Sequence, residues 1–263
     1  MFKVLALILG FVCIPIQAAA AEEVDVELLL AVDMSGSMDM EEARVQRSGY
    51  VEALKHPDFI NAVKGGRLGR IAIGYFEWAG LVNEDSVISW QVIDDADDAY
   101  AFAAKLQGRP VGTRRGTSVS NAIIFGTSLI ESNEFSGERR ILDVSGDGPN
   151  NTGPPVTPAR AEALARGIII NGLAIVIRPS ASSGPLDQYY LDCVVGGPGS
   201  FVLAVHEAED FAVAIHQKLI LEVSGRSPAA RLRLAADEPP ADCLMGEKLR
   251  PGFLDRVYPE TNR

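Results

Sequence analysis

Asp33-Met34-Ser35-Gly36-Ser37 sets one carboxylate and two hydroxyls at alternate positions, with Gly36 between the serines. All three donors are hard oxygens, and no histidine or cysteine accompanies them, a set suited to a hard cation such as Mg²⁺. Taken alone, the segment also reads as a helix-entry loop capped by Ser or Asp. Two later segments add oxygen donors of the same kind, Thr117 in Gly116-Thr117 and Asp147 in Gly146-Asp147-Gly148. Each residue singly fits a loop or a cap. The joint placement of five fits a cation site better.

For these donors to meet, their segments must end neighbouring strands. Residues 26–32, directly before Asp33, are an aliphatic run rather than an alternating one, as in a parallel strand buried on both faces. A strand over 139–144 runs into Ser145-Gly146-Asp147, so a second strand also ends in an aspartate. Helices are read at 38–55, with Glu41 and Glu42 in the first turn where negative charge suits the dipole, and at 59–63, 94–106 and 118–131. Strands at 70–77 and 86–93 are joined by about nine residues, too few for a parallel crossover, which predicts an antiparallel pair with 86–93 at the sheet edge. Thr157-Pro158 opens a helix as N-cap and first-turn proline, and Gly167 stops it. A strand at 168–177, a helical stretch at 186–194, a strand at 200–205 and a helix at 207–223 follow. The alternation predicts an α/β doubly wound fold: a mostly parallel six-stranded sheet with one antiparallel edge strand and helices on both faces. Ligands in such folds sit outside the carboxyl ends of the strands, where Asp33 and Asp147 fall.

The N-terminus carries Lys3, an apolar stretch over 4–16 and a run of alanines ending at Ala21, the layout of a cleaved secretory signal over 1–21. The apolar stretch is too short for a mature transmembrane helix. Residues 22–225 then form the globular domain and 226–263 a proline-containing tail without repeats. Loss of Lys3 takes the formal charge from −11 to −12, which disfavours nucleic acid and anionic membranes as partners. Cleavage also removes Cys13 and leaves Cys193 and Cys243, which an oxidising compartment allows to pair; that disulfide would tie the tail back to the domain, and two separate buried thiols are the alternative. His56, His206 and His216 are scattered without zinc-site spacing and read as surface or packing residues.

The element order and the three segments Asp33-x-Ser35-x-Ser37, Gly116-Thr117 and Gly146-Asp147-Gly148 resemble a von Willebrand factor type A domain with its metal-ion-dependent adhesion site. Tyr189-Tyr190 and the stretch 194–202 are also similar to a bacterial exported subfamily of this fold, DUF1194, whose function is not defined. The first resemblance implies Ser35 and Ser37 as direct ligands and Thr117 as a direct or water-bridged one. It implies that Asp33 and Asp147 act largely through water while orienting the hydroxyls. Mg²⁺ is the implied ion, with Mn²⁺ or Ca²⁺ as alternatives, and one coordination position is left for a carboxylate of a partner. The sequence departs from the family at Arg115, where many members have a second glycine. Arg114 and Arg115 read either as solvated surface residues or as the rim of the site, steering an acidic partner. Glu77 and Trp78 are further rim candidates, with a core-edge position the alternative for Trp78.

These readings point to a periplasmic or secreted, non-enzymatic binding module whose protein partner presents an Asp or Glu to the ion. A metal-assisted hydrolase is a second reading, but no general base accompanies the motifs, and there is no Gly-x-Ser-x-Gly elbow and no Walker loop. A metal that only staples the fold is a third.

Overall fold

Alternate residues of the first strand, β1 (Glu22–Asp33), point to opposite faces of the sheet and seed two cores. Val26, Leu28, Leu30 and Val32 belong to one core, Leu29 and Ala31 to the other, and all are buried. At about 1.5–3 kcal/mol for each fully buried aliphatic side chain, this one strand is a main source of the fold's hydrophobic stabilisation. The computed structural model describes residues 21–36, 40–177, 184–226 and 240–249. Residues 1–20, which hold all but the last residue of the expected signal 1–21, Ser37 and most of the tail lie outside the described residues.

β2 (Ile71–Trp78), β3 (Val82–Ile93), β4 (Phe135–Gly146), β5 (Ile168–Ile175) and β6 (Val202–Val205) complete a six-stranded sheet ordered β3-β2-β1-β4-β5-β6. All neighbours are parallel except β2 and β3, the antiparallel edge pair expected from their short connection. On one face lie α1 (Met40–Lys55), α2 (Pro57–Lys64), α3 (Ala96–Gln107) and α7 (Phe211–Ser224), with Tyr50, Leu54, Phe59, Phe102, Ile215 and Leu219 in the first core. On the other lie α4 (Val119–Glu131), α5 (Val156–Ala165) and α6 (Leu186–Tyr189), the last continued by a π-turn over Tyr190–Val194. A short helix, α8 (Met245–Lys248), follows in the C-terminal segment.

β1, β3 and β4 each begin four residues before the start read from the sequence. In β1 the cause is Asp25, a buried carboxylate just ahead of the apolar run, and Glu27 inside the run is buried as well. Asp25 accepts from the Leu68 N–H at 2.8 Å, and Glu27 accepts from the Gly137 N–H at 2.7 Å and from Asn133 Nδ2 at 2.6 Å. Buried acceptors so satisfied are tolerated inside a strand. Because β3 starts early, only Ala79-Gly80-Leu81 separates it from β2. The N-cap of α5 is Pro155 rather than Thr157, and it makes no side-chain bond; its fixed φ and the burial of Val156 start the helix instead. The acidic start of α3 is a cap, with the Asp95 carboxylate accepting from the N–H groups of Asp97 and Asp98.

Candidate metal centre

β1 lies between β2 and β4, and the strand order reverses there, so the loops leaving β1 and β4 diverge and leave a crevice at their carboxyl ends. The parallel register sets Val32 beside Ser145, which brings Asp33 and Asp147 to one edge. Asp33 is fully buried. Its Oδ1 accepts from the Ser35 N–H at 2.7 Å, and its Oδ2 accepts from the Asp147 N–H at 3.4 Å. Ser35 Oγ donates to Asp147 Oδ1 at 3.3 Å. Gly146 is required at this point: a Cβ there would stand 2.9 Å from Asp33 Oδ2, 2.5 Å from the Tyr190 hydroxyl oxygen and 3.2 Å from the Trp78 ring.

Thr117 is carried in by the loop after α3. The Arg114 N–H donates to the Met34 carbonyl at 2.9 Å, Gly80 donates to the Arg115 carbonyl at 3.1 Å, and Ser118 donates to Ala79 at 2.9 Å. Gly116 makes the turn at φ +82°, a left-handed conformation that glycine adopts without strain. Asn151 fixes Thr117 from both sides, its Oδ1 accepting from the Thr117 N–H at 3.0 Å and its own N–H donating to the Thr117 carbonyl at 2.8 Å. Gly148 lies against the Thr117 side chain, where a Cβ would stand 3.9 Å from Oγ1. The structure thus brings Asp33, Ser35 and Asp147 into one bonded group and sets Thr117 against the same β4 loop. Ser37 lies outside the described residues.

Burial, and then the charge of Asp147, hold the Asp33 carboxyl well above the ordinary range against the opposing bonds from Ser35 and Asp147. Burial, and then the Asp33 charge, push the Tyr190 hydroxyl up as well. A buried carboxylate facing a second one is stabilised by a cation, and oxygen-only donors suit a hard divalent ion. The residues present therefore fit such an ion.

The four rim candidates separate. Arg114 and Arg115 are exposed, and Arg114 Nη2 donates to Asn83 Oδ1 at 2.8 Å. Glu77 and Trp78 are buried beneath the site instead. Glu77 pairs with buried Arg47 and accepts from the Tyr75 hydroxyl at 2.9 Å. Arg47 Nη1 in turn donates to the carbonyls of Leu106 at 3.3 Å and Arg109 at 3.0 Å, anchoring the start of the loop that delivers Thr117. Trp78 packs in the second core. For Trp78 this is the core-edge alternative read from the sequence, whereas the burial of Glu77 rests on Arg47, a partner thirty residues away.

Sequence reasoning missed the supports behind the β4 loop. Asn150 Oδ1 accepts from the Ser120 N–H at 3.0 Å, the Asn150 N–H donates to the Tyr189 hydroxyl at 3.1 Å, and Asn150 Nδ2 donates to buried Glu247 at 2.6 Å. Glu247 belongs to α8, which a Cys193–Cys243 disulfide ties to the domain. The side-by-side asparagines after Gly-Asp-Gly-Pro were the available signal.

A family described as a protein of unknown function, DUF1194, matches residues 23–227. A search of curated proteins returns no significant match. Among solved structures, proximal thread matrix protein 1 of the mussel byssus, with a zinc-occupied metal-ion-dependent adhesion motif, superposes with a TM-score of 0.59 at 14% identity, over 78% of this chain and 50% of that one. The pilus adhesin SpaC from Lactobacillus rhamnosus GG gives 0.56 at 13%, over 80% and 31%. A von Willebrand factor type A protein from Catenulispora acidiphila gives 0.54 at 12%, over 76% and 43%. The chain spans half or less of the length of each of these three proteins. By the family model the chain belongs to the DUF1194 family, and its fold is that of the von Willebrand factor type A proteins it resembles in structure.

Proposed function

We propose that this chain is an exported, metal-dependent protein-binding module of the adhesion type. The observation that carries the reading is the bonded group of Asp33, Ser35 and Asp147 at the reversal of strand order, with Asp33 fully buried. Asp33, Ser35, Ser37, Thr117 and Asp147 would hold the ion, with Mg²⁺ preferred for hard oxygen donors and Mn²⁺ or Ca²⁺ as substitutes. Bound there, a divalent ion supplies an electrophilic position for a carboxylate of a protein partner. Exposed Arg114 and Arg115 flank the loop that carries Thr117 and would favour the approach of an acidic surface.

Export is supported by the signal-like segment 1–21 and by the Cys193–Cys243 disulfide, a bond favoured outside reducing compartments. Among the described residues no helix is long and apolar enough to cross a membrane. The similar proteins include one titled a matrix protein and one titled an adhesin, which supports a binding role over a catalytic one.

Capture of partners from the native envelope, with and without EDTA and repeated on Asp33→Ala, tests the reading. Capture that needs the metal and is lost in Asp33→Ala is expected. Equal capture under all three conditions would overturn it.

A further inference from the structure

At the other end of the sheet from this crevice, α1 ends and α2 begins against α7, and three side chains with metal-ligating atoms meet there. His56 is the N-cap of α2, its Nδ1 accepting from the Asp58 N–H at 3.2 Å. Asp58 sits in the first turn of α2, and His216 reaches across from α7. The two imidazole rings lie 4.0 Å apart between centroids at 53°. Asp58 Oδ2 stands 3.6 Å from His56 Nδ1 and 3.9 Å from His216 Nε2, and one donor atom from each of the three residues falls within 4.8 Å of the others.

Capping of α2 explains His56 and Asp58, but it does not explain His216. His216 Nε2 is shielded from solvent and has no hydrogen-bond partner among the described residues. The 3.9 Å to Asp58 is too long for a hydrogen bond. A buried nitrogen left unpaired costs about 1–3 kcal/mol, so a nitrogen aimed at a carboxylate and a second imidazole calls for a further ligand between them.

We propose that His56, Asp58 and His216 form a second metal site, for Zn²⁺. Zinc takes imidazole nitrogen and carboxylate oxygen at bonds of about 2.0–2.1 Å, which in a tetrahedron sets the ligands about 3.3 Å apart. Asp58 Oδ2 stands a few tenths of an ångström beyond that from each imidazole nitrogen, and all three donors lie within 4.8 Å of one another. Side-chain torsions close the difference, because the His56 and Asp58 side chains are 46% and 61% exposed. Three protein ligands leave the fourth position to water. The donor set also sorts the two sites: imidazole nitrogen selects a borderline-soft ion, whereas the crevice at the opposite end offers only oxygens. Zinc at His56 Nδ1 would take the lone pair that accepts from the Asp58 N–H, so it replaces that cap bond with a metal tie from the start of α2 to α7. His56 and His216, far apart in sequence and expected to be surface or packing residues, are brought together by the packing of α2 on α7.

Calorimetric titration with ZnCl₂ tests the site. Because zinc also fits the oxygen-lined crevice, Asp33→Ala serves as the background, so the outcome does not depend on the role proposed for that crevice. Asp33→Ala is expected to bind one equivalent of zinc. Adding His216→Gln should weaken that binding at least tenfold. Adding His56→Asn should do the same while keeping an N-cap acceptor for α2, which answers the question if the His216 variant does not fold. Absence of zinc binding in Asp33→Ala would overturn the proposal, as would unchanged affinity in the folded double variants.

Discussion

A single buried lysine shows how this protein handles charge within its first core. Lys218 on α7 pairs with Asp143 of β4 at 2.5 Å and with Glu222 one turn away, and all three are sealed from solvent. Two carboxyls share one ammonium, so one of them keeps a proton. Burial, and then the Asp143 charge, push Glu222 up to about 8, opposed by Lys218 and by the bond from Asn171 Nδ2 at 3.2 Å. A carboxyl raised in the folded state binds a proton that the unfolded chain has released, so its contribution to stability falls as pH rises from about 4.5 through 8. Thermal melting of the wild type is therefore expected to decline across that window, by on the order of a few kcal/mol at most. Glu222→Gln, which imitates the protonated form, should flatten the decline. Lys218→Met should cost about 3–5 kcal/mol in chemical denaturation, because it strips Asp143 and Glu222 of the ammonium they share. At the crevice, Asp33→Ala should remove the melting increase produced by Mg²⁺ or Mn²⁺, as read by differential scanning fluorimetry with and without the ion. An unchanged increase would count against Asp33 as part of the site.

Among the elements, the C-terminal segment adds most to its sequence reading. Residues 226–263 read as a proline-containing tail that a disulfide would tie back, and 240–249 lie folded against the domain beside that disulfide. The Ala241 N–H donates to Asp192 at 2.7 Å, Gly246 lies so close to the Asn150 carbonyl that a Cβ would stand 2.2 Å away, and Glu247 receives Asn150. Asn150 neighbours Asn151, which fixes Thr117, so the strap braces the loop that forms one wall of the crevice. Reduction of Cys193–Cys243, or Cys243→Ser, is expected to lower stability by about 2–4 kcal/mol. Hydrogen exchange should show faster amides over 147–152 before any change in β1. Protection unchanged in that loop would show that the strap only covers it.

Taken as a whole, the molecule joins its two cores through the sheet, and β1 contributes to both. Opening one face strips partners from strands that serve the other, so the described domain should unfold in one cooperative step. Trp78 lies in the second core and Trp90 packs against it, whereas the helices α1, α2, α3 and α7 cover the first. Tryptophan fluorescence and far-ultraviolet circular dichroism should therefore give coincident denaturation curves. Separated midpoints would mean that the two faces melt independently.

The strand-and-helix alternation, the antiparallel edge pair and the oxygen-donor segments were legible in the sequence because each rests on local pattern. Aliphatic runs mark buried strands, a short connection excludes a crossover, and Asp, Ser and Thr carry their chemistry with them. The start of β1 was less legible, since Asp25 looks exposed until the loop that bonds it is in place. What only tertiary structure decided is which distant residues become neighbours. Strand order set Asp33 beside Asp147, the disulfide brought Glu247 to Asn150, and helix packing brought His216 to His56. Glu77, a rim candidate in a linear reading, lies underneath because Arg47 reaches from α1 to pair with it and to hold the start of the loop from 108 to 117, and Trp78 takes the core position that was its alternative. Residue type fixes what a side chain can do, but burial and company depend on contacts between segments far apart in the chain, and no local pattern encodes those.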